Sequence, residues 1–99
     1  MTPNFVKEAR DFATVYGGTL TERQLRTLVQ HLAAALHNSY DRGRADDDVD
    51  FNKEARGFVA THDGEFTVYQ SRVFREQLAL ALQWAYDRGH MPVWLKNHS

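Results

Sequence analysis

Residues 5–44 read FVKEARDFATVYGGTLTERQLRTLVQHLAAALHNSYDRGR, and residues 51–90 read FNKEARGFVATHDGEFTVYQSRVFREQLALALQWAYDRGH. At an offset of 46 residues the two stretches align without a gap, and 18 of the 40 aligned positions are identical. Identity at this level between adjacent segments indicates a tandem duplication. We therefore expect both stretches to fold as the same supersecondary unit.

Each copy has the pattern of a short helix, a tight turn and a long helix. Glycines at Gly17–Gly18 are typical of a helix end. The second helix is expected to open at Thr21, with Gln24 three residues later, and Thr67 and Gln70 repeat this capping-box spacing. The apolar face expected for the first helix consists of Phe5, Ala9, Phe12 and Tyr16.

The long helices carry one apolar stripe each, and both are expected to end at a glycine, Gly43 or Gly89. Either Thr2 or Asn4 is a candidate N-cap for the first helix. In the acidic connector, Asp48 or Asp50 is expected to cap the third helix. The stripe of the first long helix is Leu25, Leu28, Leu32, Leu36 and Tyr40. The aligned stripe of the second long helix is Ser71, Phe74, Leu78, Leu82 and Tyr86.

These patterns predict an all-α fold in a single domain, residues 1–99, with repeats 5–44 and 51–90 and a C-terminal tail, 91–99. Each long helix is longer than its short partner, so its C-terminal half needs cover from the other hairpin. We therefore expect a pseudo-twofold four-helix arrangement with the long helices in the centre and the short ones on the flanks.

Composition excludes several classes of function. A formal charge of −1 gives no global attraction to nucleic acid, and the absence of cysteine removes disulfides and thiolate metal sites. No stretch is apolar enough for a membrane span or a signal peptide, which predicts a cytoplasmic protein without a membrane partner. Nine arginines against three lysines, with no isoleucine, fit a GC-rich coding genome, bacterial or viral.

The two best-preserved motifs of the repeat admit both a structural and a functional interpretation. The Tyr-Asp-Arg-Gly ends, residues 40–43 and 86–89, have the pattern of helix C-termini, and a symmetric anion or peptide site is the alternative. The Lys-Glu-Ala-Arg segments, residues 7–10 and 53–56, place Glu8 and Glu54 at the edge of the buried face. We expect these carboxylates to pair with long-helix arginines, Arg26 and Arg72 being the repeated candidates.

The sequence contains no assembled set of catalytic, metal or cofactor residues. Counted from Asp46, the connector places Phe51 and Gly57 where an EF-hand loop needs a glycine and a glutamate. The five histidines have no metal-ligand spacing, and no nucleotide-binding motif occurs. We therefore predict no enzyme activity, no metal and no cofactor. An enzyme using the duplicated Glu, Tyr, Asp and Arg in a shared cleft is the least favoured alternative.

One difference between the copies suggests a binding surface. The fourth helix carries a second stripe, Val73, Gln77, Leu80 and Trp84, roughly 140° from its core stripe. The aligned positions of the first copy are mostly polar. Such a stripe must be covered or must bind something. The tail can fold back over it, or it can be an interface anchored by Trp84 and Trp94.

The prediction is a small non-enzymatic regulatory or inhibitory protein that acts through protein contacts, with a bacterial or phage accessory factor as one setting. Its partner is another protein or a second copy, bound through Val73, Leu80, Trp84 and Trp94. The alternative is a DNA- or RNA-binding regulator, which needs arginines of both repeats on one surface.

Overall fold

The computed structural model describes residues 4–16, 20–62 and 66–90, and these residues form four α-helices and no strand. The helices are α1 (Phe5–Tyr16), α2 (Glu22–Arg44), α3 (Phe51–Thr61) and α4 (Val68–Gly89). The all-α prediction is confirmed. The expected turn at Gly17–Gly18, the candidate cap Thr2 and the tail 91–99 lie outside the described residues.

All four helices begin at a side-chain cap that the sequence predicts. The Thr21 and Thr67 hydroxyls accept the N–H of the glutamine three residues on, and each glutamine side chain accepts the threonine N–H in return. Asn4 accepts the Lys7 N–H at 3.1 Å, and Asp50 accepts the Lys53 N–H at 3.2 Å. These bonds satisfy N–H groups that a helix start leaves without a backbone partner.

The end of α2 differs from the prediction. The helix continues past Gly43 to Arg44, and the left-handed residue of its C-terminal turn is Asp46, with φ of 61°. The Asp47 N–H donates to the Arg42 carbonyl at 2.9 Å and the Asp46 N–H to the Gly43 carbonyl at 3.2 Å, which is a Schellman motif. Gly43 therefore does not terminate the helix and must have another structural role.

The long helices α2 and α4 run in the same direction and contact each other directly. Arg88 donates a hydrogen bond to Glu8, and Tyr16 donates one to Gln77, which places α1 antiparallel to α4. The ring contact between Phe5 and Tyr40 at 5.6 Å places α1 antiparallel to α2 as well. The short helix therefore packs on one side of the pair of long helices, mainly against α2.

Helix α3 makes the corresponding contacts on the opposite side. Glu54 pairs with Arg42 of α2, and the Phe51 ring lies 5.4 Å from the Tyr86 ring of α4. Its last turn ends beside α2, where His62 meets His31. The largest fully buried side chains come from the two long helices: Leu28 and Leu32 from α2, Phe74 and Leu78 from α4.

The C-terminal halves of α2 and α4 approach closely because small residues line the contact. Ser39 and Gly43 on α2 are buried, as are Ala85 and Gly89 on α4. A Cβ atom added at Gly43 would lie 2.1 Å from the Tyr86 carbonyl oxygen, and one added at Gly89 would lie 2.1 Å from the Tyr40 carbonyl oxygen. The repeated glycines thus permit backbone contact at this crossing.

Across the described residues, no helix is both long enough and apolar enough to pass through a bilayer.

Candidate interaction surface

The outward face of α4 exposes large apolar side chains. Trp84 is 67% exposed and Leu80 is 54% exposed, whereas Val73 is half-buried. Asn38 and Ala34 stand at the aligned positions of α2. A helix that is apolar on most sides is normally buried. Among the described residues, however, no element covers Leu80 and Trp84.

A groove between α1 and α4 continues this apolar face inward. Its larger part encloses about 280 Å³ and its smaller part about 80 Å³, and Phe12, Ala81 and Trp84 line both. At the far end the Tyr16 hydroxyl lies 3.4 Å from the Gln77 side-chain oxygen, to which it donates. We call the larger part of this groove, with the exposed Leu80 and Trp84, the α1/α4 surface. Its members are Phe12, Tyr16, Gln77, Leu80, Ala81 and Trp84, and the half-buried Val73 is not among them.

The opposite groove, between α2 and α3, has a different chemistry. It encloses about 310 Å³ and is lined by polar groups that include Asn38, Ser39, Lys53 and Thr61. Gly57 opens it further, since a Cβ atom added there would meet nothing within 4 Å. The α2/α3 groove thus mixes polar groups with apolar ones such as Phe58 and Leu82, whereas apolar side chains predominate in the α1/α4 groove.

Two ion pairs connect the duplicated motifs across the hairpins. Arg42 donates to Glu54 at 2.8 Å, and Arg88 donates to Glu8 at 2.5 Å. The prediction that Arg26 and Arg72 are the partners of these glutamates is wrong. Each of the two arginines pairs within its own helix, Arg26 with Glu22 and Arg72 with Glu76. The glutamate of each Lys-Glu-Ala-Arg segment thus pairs with the arginine of the Tyr-Asp-Arg-Gly segment in the other hairpin.

The second oxygen of Glu8 distinguishes the two pairs. Glu8 Oε2 is shielded from solvent and has no hydrogen-bond partner among the described residues, whereas its Oε1 accepts from Arg88. A shielded carboxylate oxygen without a donor is costly. The side chains of both pairs are about two fifths exposed to solvent. Each pair therefore contributes about 0.2–1 kcal/mol to the free energy of unfolding.

The structure brings two histidines together that the sequence did not connect. Nδ1 of His31 lies 3.0 Å from Nε2 of His62, and the His62 ring also packs on Phe58. Thirty-one residues separate them in the chain, and no spacing rule predicts this contact. Within 4–16, 20–62 and 66–90, no group of three or more potential ligands surrounds a possible metal position.

Tyr86 connects α4 to the acidic connector. Its hydroxyl donates to the Asp47 carbonyl at 2.5 Å. Partial burial raises the pKa of Tyr86 above its ordinary value of 10.0, and the nearby carboxylates of Asp46, Asp48, Asp47 and Asp87 raise it further. The neutral phenol is therefore the form that the fold stabilises.

We expect this contribution of Tyr86 to disappear in alkali. Because the folded-state pKa is the higher one, the stabilisation is complete below pH 10 and is lost as the pH rises through the folded pKa. The urea concentration at the midpoint of unfolding should decrease between pH 8 and pH 11, and this decrease should be smaller in Tyr86→Phe than in the unmodified protein. Tyr69→Phe should keep the full alkaline loss; equal losses in all three proteins would contradict the assignment.

Comparison of the chain with protein-family models, with curated proteins and with solved structures finds no match. Its function must therefore be argued from its own surfaces. Three of the four predicted contact residues, Val73, Leu80 and Trp84, lie on one helix within the described part, and the fourth, Trp94, lies outside it.

The groove residues of α1 were not predicted as part of the surface. The sequence interpretation assigned Phe12 and Tyr16 to the core stripe, and both are half-buried at the edge of the groove. The usable signal was the length difference between the helices, which predicts that the end of α4 covers α1. Applied to Phe12 and Tyr16, that argument places them beside Leu80 and Trp84.

Proposed function

We propose that this protein is a small non-enzymatic regulator or inhibitor that binds another protein through the α1/α4 surface. One observation carries the proposal: Trp84 is 67% exposed beside an open apolar groove. A tryptophan next to a recess is the usual composition of an interface hot spot, since its large apolar area is desolvated on binding. A regulatory role in a bacterium or a phage is part of the same proposal.

The duplication supports a pseudo-twofold arrangement, which we include in the proposal. Aligned residues make corresponding contacts: the Glu8–Arg88 pair answers the Glu54–Arg42 pair. The Tyr16–Gln77 bond likewise answers the His62–His31 contact at the same offset. In this interpretation the first copy retained a solvated face, whereas the second gained the apolar residues that a partner needs.

Nucleic acid is the alternative partner, and the arginine environment gives it less support. Counting pairs between described residues alone, four arginines pair with glutamates: Arg26, Arg42, Arg72 and Arg88. Their charge is locally compensated, so a phosphate backbone would meet a weak positive field. The Arg44 guanidinium lies 6.0 Å from the centre of the Tyr40 ring, which fixes it at one end of the molecule.

Trp84→Ala should abolish capture of a partner protein while leaving the fold intact. Its side chain is mostly exposed, so the loss of stability should stay within about 1 kcal/mol, whereas truncating a hot-spot tryptophan costs about 2–4 kcal/mol of binding, a factor of 30 or more. The measurement is a pull-down with the tagged protein from a lysate of a bacterium whose genome is GC-rich, with and without nuclease. Asn38→Ala is the matched control, because residue 38 is the aligned position of the first copy.

The outcomes separate the alternatives. A protein retained after nuclease, kept by Asn38→Ala and lost with Trp84→Ala supports the proposal. A retained protein that binds Trp84→Ala equally well overturns the α1/α4 surface as the binding site. Recovery that disappears with nuclease in all variants moves the assignment to nucleic acid. Self-association is tested separately, by sedimentation of both variants over a range of concentrations.

A further inference from the structure

The groove between α2 and α3 is open where the aligned recess on the other side is nearly closed. It encloses about 310 Å³, whereas the smaller recess between α1 and α4 encloses about 80 Å³. Among the aligned lining residues the largest difference in size is that between an asparagine and a tryptophan, so the asparagine leaves the groove open. The aligned pairs are Ala35 and Ala81, Asn38 and Trp84, Ser39 and Ala85, Glu54 and Glu8, Phe58 and Phe12, and Leu82 and Leu36.

A nearly enclosed hydroxyl group borders this open space. Ser39 is only 5% exposed, it lines the groove, and its hydroxyl has no hydrogen-bond partner among the described residues. A ligand that displaces water from the groove must offer this hydroxyl a new hydrogen bond, because a buried hydroxyl without one is costly. Ala85, the aligned residue of the other recess, makes no such demand. The α2/α3 groove therefore requires a ligand with a polar group.

The charges around the groove decide which polar group fits. Within the described part of the chain, Lys53 has no carboxylate within 4 Å, whereas the neighbouring Glu54 is paired with Arg42 at 2.8 Å. One positive charge is therefore left without compensation. The polar group of the ligand should accept hydrogen bonds and carry a negative charge, and a carboxylate does both.

The inner wall of the groove is apolar and suits a flat ring. Phe58 is half-buried and Leu82 is buried, and both line the groove. In the other recess the Trp84 side chain borders the aligned Phe12 and Leu36, so this chain itself places an aromatic group at such a wall. A volume of about 310 Å³ lies at the lower end of the range for small-molecule sites, roughly 300–1,000 Å³. The ligand is therefore limited to about one ring system.

We propose that the groove between α2 and α3 binds a small aryl carboxylate. The ring lies against Phe58 and Leu82, and the carboxylate accepts hydrogen bonds from the Ser39 hydroxyl and the Lys53 ammonium group. Gly57 keeps the entrance open, since a Cβ atom added there would meet nothing within 4 Å. The site shares no residue with the α1/α4 surface and does not depend on the proposed function.

Indole-3-acetate is the probe, and its binding is followed through the amide signals of the ¹⁵N-labelled protein. The signals of Lys53, Gly57 and Thr61 should shift and saturate, whereas those of Leu80 and Trp84 should stay in place. The dissociation constant should be about 1 mM or less, the value that ordinary ligand efficiency gives for about 13 non-hydrogen atoms. Indole-3-acetamide has the same ring without the charge, and it should bind about threefold to fivefold more weakly, the factor that an exposed charge pair provides.

Three variants separate this site from a general attraction to aromatic compounds. Lys53→Met should weaken the binding of indole-3-acetate by the same threefold to fivefold. Lys7→Met, at the aligned position of the other repeat, should leave it unchanged. Asn38→Trp should abolish binding, because it gives the groove the residue that borders the narrow recess. Residue 38 is exposed, so the urea concentration at the midpoint of unfolding should change little in this variant.

The absence of saturable shifts up to about 10 mM, tenfold above the expected dissociation constant, would overturn the proposal. Equal binding of indole-3-acetamide, or unchanged binding in both Lys53→Met and Asn38→Trp, would also overturn it. Shifts centred on Leu80 and Trp84 would contradict it as well, and would assign the uptake of aromatic compounds to the α1/α4 surface. None of these results depends on whether a partner protein exists, so the proposed function is tested separately.

Discussion

Gly43→Ala and Gly89→Ala should each destabilise the fold by about 2–3 kcal/mol, although alanine is the better helix former. The added Cβ atom would lie 2.1 Å from a carbonyl oxygen of the other long helix, Tyr86 in one case and Tyr40 in the other. The obstructing atom belongs to the backbone and cannot rotate away. The two helices must therefore separate, and that movement loosens the packing along their contact.

The measurement is urea unfolding of each variant, and the chain provides its own control. Gly57 lies inside α3, where a Cβ atom would meet nothing within 4 Å. Gly57→Ala should therefore stabilise the protein by about 0.5–1 kcal/mol through helix propensity alone. If Gly43→Ala stabilised the protein as Gly57→Ala does, the close crossing of α2 and α4 would be wrong.

The double variant gives a stricter test of the same contact. Gly43 and Gly89 occupy one crossing, so the separation forced by the first alanine also makes room for the second. The loss for Gly43→Ala with Gly89→Ala should be clearly smaller than the sum of the single losses. Additive losses would indicate two independent sites instead of one shared contact.

The sequence predicted the helices well because their signals are local. Threonine and glutamine at a three-residue spacing define the starts of α2 and α4 through bonds within one turn. Asp50 and Asn4 act over the same distance. The apolar stripes likewise depend only on helical periodicity, and their members Leu28, Leu32 and Phe74 are buried.

Contacts between hairpins could not be obtained in this way. The prediction for Glu8 considered arginines of its own hairpin, whereas its partner Arg88 comes from α4, 80 residues away. Gly43 was interpreted as a helix end because glycine commonly occurs there. Its burial against Tyr86 depends on how close two helices approach, which no local pattern encodes. The repeated identity of these residues was the one available signal that they act together.

The candidate surface was only partly predictable for the same reason. Helical spacing alone placed Leu80 and Trp84 on an outward stripe, and both are exposed. The neighbouring groove requires the position of α1, so Phe12 and Tyr16 became part of the surface only in the folded structure. The meeting of His31 and His62 has the same origin, since it depends on where the end of α3 reaches α2.

Phe74→Ala should be the most destabilising single substitution in the core, with a loss of about 3–5 kcal/mol. Phe74 is fully buried and its ring contacts three others, Phe12 at 5.1 Å, Phe58 at 6.0 Å and Phe66 at 5.0 Å between centroids. These rings come from both short helices and from the chain before α4. Removing Phe74 therefore opens a cavity that no single element can close.

Thermal unfolding measures this loss, at about 4–8 °C per kcal/mol for a chain of this size. Phe74→Leu provides an intermediate substitution, because leucine occupies the aligned position 28 and is equally buried there; its loss should be smaller. Tyr69→Ala, on the exposed face of the same helix, should change stability by no more than about 0.5 kcal/mol. If Phe74→Ala lost no more stability than Tyr69→Ala, the aromatic rings of α1 and α3 would not meet at Phe74. The long helices would then have to be stabilised without the short ones, and the close contact at Gly43 and Gly89 would be the main remaining candidate for joining α2 to α4.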